Sequence, residues 1–192
     1  MNRNSALRWL PEIEKAGLPV PRTVMIPYKR AAILPIFDNH PSAEYDRLRS
    51  AVERAVLDVG MPAFIRTDLA SAKHLGPSAS RIVNAETCGR QLTDTLEDSE
   101  LKFWLEREGP QASLIREFLD LDSPFTAFCG LPIACEWRFF ADAERVRCWH
   151  GYWPEEALEG HVQDVPDWRE KLAESHILSA EDLATLEPMA IR

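Results

Sequence analysis

Tyr45, Leu48, Val52, Val56 and Val59 recur three and four positions apart in "HPSAEYDRLRSAVERAVLDVG", one apolar stripe along a charged segment. Ser42 stands where an N-cap belongs and Gly60 where the chain must stop, so this stretch predicts the clearest helix of the chain. A shorter helix, Ser5 to Ala16, runs into Gly17. The period then changes. The prolines of "LPVPRTVMIPY" force an extended entry, and Thr23 to Ile26 predicts a β-branched strand. "MPAFIRTD" is the next strand, which makes the opening order strand, helix, strand. "ETCGRQLTDTLED" and "SELKFWLERE" read as two consecutive helices broken near Asp98-Ser99, with Gly109-Pro110 as the stop.

"ASLIREFL" predicts a strand. "LPIACEWRFFADAERVRCWHGYW" predicts a hairpin of two long runs joined at Asp142-Ala143-Glu144. Alternation in the first run puts Cys135, Trp137 and Phe139 on one face, and Glu136, Arg138 and Phe140 on the other. The aromatic cluster of Trp137, Phe139, Phe140, Trp149, Tyr152 and Trp153 reads as core rather than as a stacking platform. After Pro154 the chain turns helical and acidic. The outline is α+β, with two lobes meeting near Gly109 to Ala112.

The chain has 192 residues, enough to bury a core, and its 45% hydrophobic and 28% charged residues fit a globular protein. A net charge of -9 excludes a broad basic face for nucleic acid, though not a small cationic pocket. No apolar run reaches the roughly 20 residues that cross a bilayer, and acidic residues interrupt any N-terminal signal pattern, so the expected location is cytoplasmic. Cys88, Cys129, Cys135 and Cys148 form no CxxC pair, and the five histidines are scattered. A His/Cys metal site is not expected.

Candidate chemistry starts in "FIRTDLASAKHLG". Arg66 ends a strand, where its fork of donors can reach a cleft and suits phosphate oxygens. Lys73 follows in a loop of small residues that lets backbone approach a ligand. Alone, Lys73 reads as a solvated turn residue, and His74 has no evident partner. In "IREFLDLD", Arg116 and Glu117 fit a central strand with outward charges and a ligand-binding edge equally. Glu136 and Arg138 form a charged pair in an apolar run and need partners. Those are either a ligand or a cross-strand contact to Arg145 or Arg147.

Taken in order, "AGLPVPRTVMI", "PAFIRTDLASAKH", "SLIREFLDLD" and "CEWRFF" resemble the ATP-grasp fold. The similarity is greatest to its bacterial, phage and eukaryotic branch, in which arginine replaces the first nucleotide-binding lysine. It covers about Gly17 to Tyr152. The resemblance implies two α+β lobes, mostly antiparallel sheets with packed helices, clamping ATP between them. The domains are then an N-terminal helix and linker (1–19), a first lobe (20–110) and a partial second lobe (111–192). It also implies a ligase joining a carboxylate to an amine or thiol through an acyl phosphate. Its partners would be a nucleotide and a small-molecule or peptide acceptor.

The resemblance places Arg66 and Lys73 on the phosphates. Arg116, Glu117, Phe118 and Leu119 fall at the adenine hinge, and Asp120 or Asp122 near the ribose. Glu136 lines the cleft, and Arg138 faces the transferred phosphoryl group. Mg2+ is expected for a full-length enzyme, but the D…E-x-N ligands of the family have no match before "EDLATLEPMAIR". The expectation is a fragment with an incomplete second lobe, lacking also the domain that usually precedes the fold. An ATP-binding assembly or chaperone-type module without catalysis is the alternative, and an α+β interaction protein that binds no nucleotide is a third.

Overall fold

The computed structural model describes residues 2–72, 76–103, 109–142 and 144–191. Ser5 accepts the Leu7 amide on its hydroxyl and opens α1 (Ala6–Lys15); Gly17, at φ 72°, releases the chain. β1 (Thr23–Pro27) and the single turn α2 (Arg30–Ile33) lead to α3 (Ala43–Val59). Ser42 caps α3 through the Tyr45 amide, and the Arg22 guanidinium donates to the carbonyls of Asp58 and Val59 at its far end. β2 (Ala63–Thr67), α4 (Pro77–Ser80), β3 (Arg81–Ile82), α5 (Cys88–Phe103) and β4 (Ala112–Glu117) complete a first unit that ends at Leu119.

Its four strands form an antiparallel sheet in the order β1-β4-β2-β3. Val24, Ile115 and Ile65 lie in one row across it, on the face that packs with Leu48, Val52 and Val56 of α3 and Leu92 and Leu96 of α5. Full burial of each such side chain contributes about 1.5–3 kcal/mol, which is why the stripe on α3 decides where that helix lies. On the opposite face, Ala112 and Leu114 pack with Ala6 and Leu10 of α1.

Two expectations change in this unit. α5 runs unbroken through Asp98-Ser99: the Ser99 hydroxyl is buried 2.9 Å from Thr67 Oγ1, and Asp98 holds Lys102 one turn on. A tertiary hydrogen bond removes the reason for a serine to break the helix. β4 is the second change. Expected to open the second lobe, it is a central strand of the first sheet, and the division between units falls at Leu119/Asp120 rather than at 110/111.

The second unit, Asp120–Arg192, holds two hairpins and a helical end. β5 (Phe125–Ala127) pairs with β6 (Leu131–Ile133), and β7 (Trp137–Ala141) with β8 (Val146–Gly151). The run expected as one long strand is therefore divided at 134–136, its first part pairing backwards onto β5. Asp142 accepts the Glu144 and Arg145 amides and makes the β7–β8 turn. α6 (Glu155–Leu158), α7 (Trp168–Ser175) and α8 (Ala180–Ile191) follow. The core gathers Phe125, Ile133, Trp153, Leu158, Trp168 and Leu172. Of the aromatic cluster, Trp153 is core, whereas Phe140 and Trp149 are exposed at 46% and 36%. Among the described residues no helix is long and apolar enough to cross a membrane.

His176 caps α7, and its ring fills the space where a Cβ on Gly151 would stand. Its Nε2 is buried without a hydrogen-bond partner. Burial, with a smaller push from the His150 charge, lowers its proton affinity below the ordinary value. The folded state therefore binds this proton more weakly than the unfolded chain. Stability is complete above about pH 6.5 and declines as pH falls from there through the lower folded value. Urea unfolding at pH 7.5 and 5.5 should show this loss, and His176→Gln should reduce it. An equal loss in both proteins would remove His176 as the cause.

Candidate functional site

The sheet register brings two arginines together on the face opposite α3 and α5. Arg66 on β2 lies opposite Leu114, while Arg116 on β4 lies opposite Phe64, so the two are diagonal neighbours. Such positions sit roughly 7–8 Å apart. Both are half-buried. At Arg66, β2 is paired with β4 on one side, while the two-residue β3 reaches only Ala63 and Phe64 on the other.

Their electrostatics are unusual for a chain of net charge -9. Burial lowers the proton affinity of Arg66, the Arg116 charge lowers it further, and Asp68 offsets part of this. Burial does the same to Arg116. Arg66 Nε donates to the Thr67 carbonyl at 2.9 Å, while Arg116 Nε is buried with no partner. Among the described residues the arginines in ion pairs are Arg30, Arg47, Arg49, Arg90, Arg147 and Arg169; Arg66 and Arg116 are not among them. Two neighbouring guanidiniums that are partly desolvated and lack a carboxylate are a costly arrangement. An anion between them would reverse the sign of the interaction and give Arg116 Nε an acceptor.

Asp68, two residues after Arg66, is engaged within the fold. Its carboxylate accepts the Ser5 hydroxyl at 2.5 Å and the amides of Gln111 and Ala112 at 2.8 and 3.1 Å. Its carbonyl accepts the Ala6 amide. One buried side chain thus ties the start of α1 to β2 and to the strand beside it. Thr67 closes the turn that follows, its amide and hydroxyl donating to the Ala70 carbonyl and its hydroxyl accepting the Ala70 amide. Tyr28, also buried, faces the same region beside Asp68, Glu100 and Arg30, and burial pushes its phenol above the ordinary range. Arg30 is held by Glu100 at 2.5 Å and lies where a Cβ on Gly109 would be, so the glycine of the Gly109-Pro110 stop leaves room for that pair.

The residues expected at the hinge stand at the end of β4 and just beyond it. The Glu117 amide donates to the Arg22 carbonyl at 2.8 Å, and its carboxylate accepts the Arg22 amide at 3.2 Å. Both groups serve the sheet. Outside the strands, no backbone hydrogen bond among the described residues involves Phe118 or Leu119. Leu119 is 44% exposed, and the Arg81 guanidinium lies 4.5 Å from the Phe118 ring centroid.

Asp122, Glu136 and Arg138 belong to the second unit. The Asp122 carbonyl accepts the Cys135 amide, and the Glu136 carbonyl accepts that of Tyr152. Arg138 is exposed on β7 opposite His150, its guanidinium 4.8 Å from the Tyr152 ring centroid. The cross-strand alternative for Arg147 resolves differently, since Arg147 pairs with Asp142. Lys73 and His74 lie outside the described residues.

No family model matches the chain, and no curated protein matches it. Asp68 and Arg81 are the residues that reading the sequence missed. The partners of Asp68 lie more than 40 positions away on either side, and the Arg81 register depends on a strand of two residues, too short to carry a period. A buried-looking "RTD" at a strand end was the only signal for the first.

Proposed function

We propose that this chain binds ATP in the manner of the ATP-grasp family, the phosphates lying on Arg66 and Arg116. The observation that carries this is the guanidinium pair itself: adjacent, half-buried, without a carboxylate partner, and with Arg116 Nε left unsatisfied. Forked donors fit phosphate oxygens two at a time, so the pair suits a polyphosphate better than a single carboxylate. Phe118 and Leu119, whose backbone groups are free of the sheet, support a base site at the end of the same strand.

The activity on this reading is ATP-dependent ligation of a carboxylate to an amine or thiol. Among the described residues no group of three His, Cys, Asp or Glu could hold a metal ion. No step is assigned to Mg2+. A cytosolic ATP pool suits the four free thiols.

Titration calorimetry tests the reading. The unaltered chain should bind ATP, and Arg116→Ala should bind it more weakly. Absence of ATP binding by the unaltered chain overturns the proposal.

A further inference from the structure

Between Glu117 and Asp122 the chain leaves the first sheet, and every residue there except Phe118 is exposed. Exposed backbone outside a strand has little to hold it in one course. Phe118 is held. It is half-buried beneath Arg81, whose guanidinium is 4.5 Å from the ring centroid. Arg81 sits on the edge strand β3 opposite Phe64, and Phe64 lies opposite Arg116 on β4. β2 separates β3 from β4, so the Arg81–Phe118 contact links β3 to the end of a strand that it does not pair with. Arg81 makes none of the ion pairs found among the described residues, so no carboxylate accounts for that contact.

Building on the ATP reading, we infer that Arg81 is a positioning residue for base recognition: its stack on Phe118 sets the place of the backbone groups of Phe118 and Leu119. A flat base is recognised by a donor and an acceptor at fixed spacing, and hydrogen bonds weaken steeply with distance and angle. A Phe118 free to leave the sheet would carry both groups out of register. Arg81 itself touches neither base nor phosphate. Its charge is engaged by the ring, whereas Arg66 and Arg116 keep theirs for the ligand.

Comparing adenosine with ATP by calorimetry on the full chain tests this. Adenosine lacks phosphates, so it reads the base site alone. Arg81→Ala and Phe118→Leu should each weaken adenosine and ATP by the same factor, about two- to five-fold, the range of an exposed cation–π contact. The double variant should bind no more weakly than either single one. Arg81→Lys, which keeps a cation over the ring, should recover part of the loss. Arg66→Ala should weaken ATP alone. Loss of ATP affinity in Arg81→Ala with adenosine unchanged would make Arg81 a phosphate ligand and overturn the inference. No change in either ligand would also overturn it, with the ATP reading intact. If the unaltered chain binds neither ligand, the ATP reading falls and the inference falls with it.

Discussion

Asp68→Ala should destabilise the first unit by about 3–5 kcal/mol, the largest effect expected of any single polar substitution here. Three donors lose their acceptor at once: the Ser5 hydroxyl and the amides of Gln111 and Ala112. Ser5, Asp68 and Ala112 are at most 2% exposed, so water cannot readily replace the carboxylate. Each buried donor left unsatisfied costs roughly 1–3 kcal/mol. Asp68→Asn keeps one acceptor oxygen for the two amides and can turn its NH2 towards Ser5, so its cost should be about half as large. The urea midpoint measures the total. Hydrogen exchange localises it: α1 amides should lose protection before those of α3, because Asp68 ties down the start of α1 while α3 is held by the main core. A D68A midpoint equal to that of the unaltered chain would show that the carboxylate is replaceable.

Arg66→Ala should weaken ATP binding ten-fold or more, corresponding to the roughly 1.5–3 kcal/mol of a hydrogen bond to a charged group. Arg81→Ala should cost less, since its guanidinium is occupied by Phe118. The same repulsion that makes the pair a good anion site limits the damage to the fold. Arg66 and Arg116 disfavour each other's charge in the free protein, so removing one relieves that term while giving up the contact to the Thr67 carbonyl. Stability and affinity should therefore separate, with affinity falling steeply and the unfolding midpoint changing little. Arg66→Lys should fall between, because an ammonium keeps the charge and loses the fork. Equal ATP affinities for R66A and R81A would remove Arg66 from the site.

The pair was half legible in advance. "FIRT" shows an arginine near a strand end and "LIRE" shows another, and both were candidates from their residue types. That they are neighbours depends on β4 pairing directly with β2, and nothing within either segment encodes that choice. Strand pairing joins residues about fifty positions apart, so a local period can mark a strand without naming its partner. The same gap explains why the sequence alone places β4 with the second lobe, whereas it pairs within the first sheet. Its buried run Ala112–Ile115 fits any central strand, and the Gly109-Pro110 stop before it looked like a boundary between lobes.

What the sequence determined by itself was local: the capped and striped α3, the short α1 ending at Gly17, the strands at Thr23 and Ala63, and the turn at Asp142. Each follows from contacts within a few residues, where side-chain period, capping hydroxyls and glycine dihedrals act directly. Only the tertiary structure decided that Ser99 would sit inside a continuous helix, that Asp68 would anchor α1, and that Arg66, Arg116 and Arg81 would share one face of a sheet. Those outcomes rest on hydrogen bonds and charges between segments that meet only when the sheet closes, and burial there sets their strength.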